Sequence, residues 1–185
     1  MLLDGTKNSI ILEKAGSGTK RHSFFRLSGD YIYFSDYSDN GNIHRINLDG
    51  SNEIFISDGT HYMQTENPRF EVSDNYIFYT PSLTEYGHYL YRINLDGSDC
   101  MIYYDEPGQF VISDDYIYIN DYGICKVSVD DNKNIVRIFD MQVYDLNIVG
   151  EYIYANWYNP DLSERKIYKI KNDGSMEYEI LTGLF

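Results

Sequence analysis

With 185 residues the chain can bury one ordinary globular core but not two. Its hydrophobic fraction of 43% belongs to a folded protein rather than a disordered one. A net charge of −14 repels the phosphates of nucleic acid and of anionic membranes, and its plain reading is solubility. No apolar run approaches the ~18 residues of a membrane span, so no membrane insertion is expected. The start, Met1-Leu2-Leu3-Asp4-Gly5, has neither the basic region nor the apolar core of an export signal. The expectation is a cytosolic setting, or a targeting segment outside this sequence.

In chain order, residues 1–18 read as a tight turn, Leu3-Asp4-Gly5-Thr6, followed by one strand from Ser9 to Leu12. Residues 19–60, 61–106, 107–140 and 141–185 then repeat one pattern four times. Gly29-Asp30-Tyr31-Ile32-Tyr33-Phe34 returns as Asp74-Asn75-Tyr76-Ile77-Phe78-Tyr79, as Asp114-Asp115-Tyr116-Ile117-Tyr118-Ile119 and as Gly150-Glu151-Tyr152-Ile153-Tyr154-Ala155. The lead tyrosines are 45, 40 and 36 residues apart, and a strand-rich period of roughly 40 residues predicts one propeller blade per repeat.

Each repeat reads as four strands, A to D from the axis outward. Strand A is Phe24 to Leu27, Arg69 to Val72, Gln109 to Ile112 and Leu146 to Ile148; strand B is the Tyr-Ile-Tyr segment. Strand C is Asn42 to Asn47, Tyr89 to Asn94, Gly123 to Ser128 and Lys166 to Lys171. Strand D is Glu53 to Ile56, Met101 to Tyr104, Val136 to Phe139 and Glu177 to Leu181. The C–D turns Leu48-Asp49-Gly50-Ser51, Leu95-Asp96-Gly97-Ser98 and Asn172-Asp173-Gly174-Ser175 put Asp-Gly where a tight hairpin needs a positive φ. Repeat three carries Val129-Asp130-Asp131-Asn132 there, with Asn expected to stand in for Gly. No apolar stripe of period 3.6 occurs, so no helix is expected. The predicted fold is all-β: four four-stranded antiparallel blades plus one orphan N-terminal strand. Three readings of the ring stay open: a piece of a longer propeller, a homo-oligomer joined through exposed blade edges, or a four-bladed ring closing alone.

The unit Tyr31-Ile32-Tyr33-Phe34-Ser35-Asp36, followed by Ile43-His44-Arg45-Ile46-Asn47-Leu48-Asp49-Gly50-Ser51-Asn52, resembles the YWTD repeat of low-density-lipoprotein-receptor-type propellers. It is more similar still to a bacterial domain family of unknown function with propeller repeats of that type. The resemblance implies repeated blades and an extracellular or cell-surface setting, and it implies no catalytic residues. Ile replaces Trp in every repeat, and the closing Asp persists only as Asp36 and Asp121.

No nucleophile elbow, phosphate loop or dinucleotide fingerprint is present, so no catalytic residue and no cofactor are expected. The histidines His22, His44, His61 and His88 lack metal-ligand spacing, and no metal is expected. The loop Asp36-Tyr37-Ser38-Asp39-Asn40-Gly41 has the opening of a calcium loop, but Asn47 stands where a bidentate Glu is needed, so a hairpin turning at Asn40-Gly41 is the stronger reading. Cys100 and Cys125 are expected as free packed thiols. A cation recurs in strand C as Arg45, Arg92, Lys126 and Lys169, and is expected to form salt bridges with acids such as Asp36 and Asp121.

Binding is expected on the face where the B–C and D–A connections lie, because these vary between repeats while the A–B and C–D turns do not. The candidate ligand-binding residues are Tyr37, Asp39, His61, Tyr62, Gln64, Tyr86, His88, Tyr122, Trp157, Tyr158 and Asn159. Tyrosine, tryptophan, amides and acids together suit a carbohydrate or a protein or peptide ligand. The predicted function is a non-enzymatic binding module. The alternatives are a saccharide-active hydrolase or lyase with carboxylates at the central channel, and a structural, self-assembling module.

Overall fold

The computed structural model describes residues 22–36, 41–56, 69–81, 89–159, 164–175 and 177–184, and the orphan strand expected in residues 1–18 lies outside them. Blade one is β1 (His22–Ser28), β2 (Tyr31–Asp36), β3 (Asn42–Asn47) and β4 (Ile54–Phe55). Blade two is β5 (Arg69–Val72), β6 (Tyr76–Thr80), β7 (Tyr89–Asn94) and β8 (Met101–Asp105). Blade three is β9 (Phe110–Ser113), β10 (Tyr116–Asn120), β11 (Ile124–Ser128) and β12 (Val136–Phe139). Blade four is β13 (Leu146–Val149), β14 (Tyr152–Tyr158), β15 (Glu164–Lys171) and β16 (Glu177–Leu184). Each blade is one antiparallel sheet in chain order, and among the described residues there is no helix. Among the described residues every ladder stays inside its own repeat, and the innermost strands β1, β5, β9 and β13 pack in succession.

The period-2 alternation of strand B sends its residues to opposite faces of each blade. The Tyr-Ile-Tyr/Phe aromatics of blades one to three face the following blade, and the isoleucine of blades two to four faces the preceding one. Three apolar cores result, one between each pair of blades. Tyr33, Ile43 and Ile56 of blade one meet Phe70, Ile77, Tyr79 and Ile93 of blade two. Phe78, Leu90 and Tyr103 meet Phe110, Ile117, Ile119 and Val127. Tyr118, Ile124 and Ile138 meet Leu146, Ile153, Ala155 and Ile170. The inner strands add an edge-to-face pair, Phe24 with Phe70, and a two-pronged ion pair from Arg26 Nε and Nη2 to Glu71 at 2.7 and 2.5 Å.

The recurrent strand C cations do not pair with Asp36 and Asp121. They lie over the lead tyrosines of their own blades: Arg45 over Tyr31 at 4.3 Å, Arg92 over Tyr76 at 4.3 Å, Lys126 over Tyr116 at 4.0 Å and Lys169 over Tyr152 at 3.8 Å. Register explains the correction. Arg45 sits opposite Tyr33 and Asp36 opposite Asn42, so by alternation Arg45 shares a face with both tyrosines while Asp36 points to the other side.

The same cations reach forward. Arg92 Nη1 donates to the carbonyls of Val129 and Asp130 at 3.3 Å each, and Lys126 Nζ donates to the carbonyl of Asn172 at 3.2 Å. Each acceptor lies in the C–D turn of the next blade. Arg92→Met is therefore expected to cost about 1–2 kcal/mol, read by urea titration. The loss should persist at high salt, where an exposed carboxylate pair would already be screened.

The incoming turns are built to fit. In the Asp-Gly turns the aspartate holds the following serine, with Ser51 N and Oγ bonding Asp49 Oδ1 at 2.9 and 2.6 Å, and Ser98 repeating the same distances to Asp96. The equivalent bonds from Ser175 hold the Asp173 carboxyl down at about 2. Gly97, at φ +87°, packs onto the carbonyl of Ile56 in blade one, and Gly174 onto Ile138 in blade three. In blade three Asn132 does not take the glycine's left-handed conformation, contrary to expectation. Its side-chain amide instead donates to the Tyr103 carbonyl at 2.9 Å, the position equivalent to Ile56.

His44 is packed as expected, stacked on Phe34 and 3.1 Å from Glu53. Neither cysteine is in a disulfide; Cys125 is buried and Cys100 lies beside the Tyr79 hydroxyl at 3.3 Å.

Candidate functional site: a cavity between three connecting loops

The end of strand B is extended in blades three and four by an asparagine that stitches neighbouring loops. Asn120 N donates to the Gln109 carbonyl and Gly108 N to the Asn120 carbonyl, both at 2.8 Å. The Asn120 side-chain amide donates to the Val143 carbonyl at 2.5 Å, and Gln109 Oε1 accepts from Leu146 N at 3.0 Å. In blade four Asn156 repeats the role with Asp145 and Tyr144. One asparagine thus ties together the connection from blade two to three, the B–C loop of blade three and the connection from blade three to four.

Where these three segments meet lies a cavity of about 340 Å³ lined by Glu106, Pro107, Gly108, Asn120, Asp121, Tyr122 and Gln142. It sits on the face formed by the B–C and D–A connections. Its polar side chains are two carboxylates, two amides and the Tyr122 phenol. Asp121 Oδ2 accepts the Tyr104 hydroxyl at 2.8 Å and lies 3.8 Å from Arg137 Nη2, whose companion Nη1 donates to the Asp121 carbonyl at 3.0 Å. Burial, with the Asp121 hydrogen bond second, raises the Tyr104 pKa, so this hydroxyl stays a donor that orients Asp121.

Glu106 and Tyr122, on opposite segments, both take left-handed backbone conformations at φ +48°. Such strain in non-glycine residues costs on the order of 1 kcal/mol and clusters at functional sites. The Tyr122 ring is 76% exposed, held out at the rim.

Of the eleven candidate residues, Tyr37, Asp39, His61, Tyr62, Gln64, Tyr86 and His88 lie outside the described residues. Tyr122 lines the cavity. Trp157 and Tyr158, expected in a loop, instead extend strand β14, because pairing with β15 continues as far as Tyr158 opposite Arg165. Tyr158 stacks on Tyr144 with ring centroids 3.6 Å apart, and Trp157 has Lys166 5.5 Å from its ring centre. Asn159 closes the hairpin by accepting Glu164 N on Oδ1 at 2.9 Å. The sequence does not single out Glu106, Asn120 or Gln142, and its repeat places Asp121 in the scaffold. The signal that could have found them is the asparagine shared by Asn120 and Asn156 just beyond Tyr-Ile-Tyr.

No family model matches the chain, and no curated protein matches it. Solved structures do. A putative TolB from Agrobacterium tumefaciens is similar at a TM-score of 0.63 and 15% identity, over 84% of this chain and 62% of that one. An oligogalacturonate lyase from Vibrio parahaemolyticus is similar at a TM-score of 0.57 and 11% identity, over 83% of this chain and 50% of that one. A computationally designed protein aligns at a TM-score of 0.57 and 10% identity over 89% of this chain and 99% of its own. The chain thus spans less than two thirds of the length of the two natural proteins. Those two are β-propeller proteins, and at such identities the likeness establishes the fold: an all-β chain of four four-stranded antiparallel propeller blades.

Proposed function

We propose that the chain is a non-enzymatic binding module whose ligand, a carbohydrate, seats in the cavity between Glu106, Asp121, Gln142 and Tyr122. The observation that carries this reading is the cavity's position where variable loops converge on an invariant scaffold. Its volume falls at the lower end of the ~300–1,000 Å³ usual for small-molecule sites. Carboxylates and amides accept and donate to neighbouring hydroxyls, and the exposed Tyr122 ring offers a flat apolar surface to a sugar face. The Tyr-Ile-Tyr and Asp-Gly-Ser strings support the YWTD-type reading, and with it an extracellular or cell-surface setting.

Glycan and peptide arrays, followed by calorimetric titration of the hits, test the proposal. Tyr122→Ala and Gln142→Ala are each expected to weaken binding about tenfold or more. The Tyr122→Ala melting temperature should stay near that of the parent, because the ring is exposed. Trp157→Ala, which does not line the cavity, should bind normally. Peptide hits with no glycan hit would reassign the ligand to a protein partner, and arrays blank in both classes would remove the proposal.

A second reading rests on the two carboxylates, Glu106 and Asp121, lining one cavity. Paired carboxylates are the equipment of saccharide hydrolysis, and a lyase is among the similar folds. Release of new reducing ends or unsaturated products from oligosaccharides, abolished by Glu106→Gln, would favour it.

A further inference from the structure

We infer that the ligand of this cavity carries a free ammonium group, so that an amino sugar is taken in preference to a neutral, N-acetylated or acidic saccharide. The inference rests on the carbohydrate reading above and narrows it.

The cavity has an excess of acceptors, because the protein spends most of the nearby donors on itself. Gly108 N donates to the Asn120 carbonyl, and Asn120 N to the Gln109 carbonyl. The Asn120 side-chain amide donates to the Val143 carbonyl, and the Tyr104 hydroxyl to Asp121 Oδ2. The lining then offers mainly oxygen. Glu106 and Asp121 supply carboxylates, while Gln142 and the Tyr122 hydroxyl can either donate or accept.

Charge points the same way. None of the lining residues is a lysine, arginine or histidine. Arg137, beside the cavity, is already committed. Its Nη1 donates to the Asp121 carbonyl at 3.0 Å, Nη2 lies 3.8 Å from Asp121 Oδ2, and Nε lies 3.9 Å from Asp140 Oδ1. A Cβ added to Gly123 would lie 2.6 Å from Nη1, so the guanidinium is packed against the backbone of this loop. One cation therefore offsets Asp121, whereas among the described residues no ion pair or hydrogen bond engages Glu106.

An acidic sugar would meet two carboxylates and no cation in the lining. A neutral sugar brings hydroxyl donors but leaves the Glu106 charge uncompensated. An ammonium brings three donors, no acceptor and the opposite charge, which matches both deficits. The exposed Tyr122 ring at the rim adds a surface for cation–π contact, and the net charge of −14 draws cations toward the chain. N-acetylation removes the charge and adds an acceptor, so it forfeits the match.

The test is calorimetric titration of the 185-residue chain with oligomers of glucosamine, N-acetylglucosamine, glucose and galacturonate of equal length. The glucosamine oligomer should bind about five- to tenfold tighter than the glucose oligomer. That ratio should shrink as salt is raised from ~0.02 to ~0.5 M. Glu106→Gln, at an exposed position, should bring the ratio near one. Asp115→Asn removes one charge from the A–B turn at the other end of β10 and should leave the ratio unchanged. Equal affinity for the glucosamine and glucose oligomers, or a preference for galacturonate, with Tyr122→Ala weakening each, overturns the inference and leaves the carbohydrate reading standing. So does a preference that survives Glu106→Gln, or one that Asp115→Asn lowers as much. Failure of all four oligomers to bind removes the carbohydrate reading and the inference with it.

Discussion

Tyr118→Ala is expected to lower the unfolding free energy by about 3–5 kcal/mol, the usual cost of truncating a buried aromatic. For a domain of this length that is a fall in melting temperature of roughly 6–20 °C. The ring is fully buried between blades three and four, where it packs against the core of Leu146, Ile153 and Ala155. Burial pushes its hydroxyl up to about 12, so the ring stays neutral near neutral pH and the loss is one of packing. Tyr154→Ala removes the same residue from the same repeat position in blade four, where the ring is only half-buried, and should cost about 1 kcal/mol. Guanidinium titration of the two variants side by side is the measurement. Equal losses would show that the interfaces between blades do not carry the stability assigned to them.

Gly97→Ala should cost about 2–4 kcal/mol. An added Cβ would lie 2.4 Å from the carbonyl oxygen of Ile56, and the backbone φ of +87° is itself unfavourable for a side chain. Relief requires the turn of blade two to lift away from the outer strand of blade one. Gly29→Ala supplies the control. Its φ is +57° but nothing lies within 4 Å of the new atom, so only the conformational cost of about 1 kcal/mol remains. A thermal melt in which the two variants behave alike would remove the steric part of the argument.

The scaffold was legible because its rules are local. Alternation of Tyr-Ile-Tyr places apolar groups on both faces of a strand, and Asp-Gly closes a tight hairpin; both follow from residues a few positions apart. The strand C cation was legible as a repeated element but not in its partner. Choosing between Tyr31 and Asp36 requires the register of β2 against β3, which puts Arg45 opposite Tyr33. Asn132 shows the same limit. Its turn was read as a glycine substitute, yet the side chain answers to a carbonyl of the preceding blade. Of the described site, Tyr122 was legible as an aromatic in a variable loop. Glu106 and Gln142 were not, since they come from connections 36 residues apart that meet only once the blades fan out.

Taken alone, the amino-acid order determined four repeats, the four four-stranded antiparallel sheets of the described residues and the face on which variable loops would gather. Those are consequences of short-range periodicity and turn chemistry. Tertiary structure alone decided which loops line one cavity and which rings receive the cations. Each of those depends on one sheet's position against another, a relation set by packing between blades and written in no single repeat.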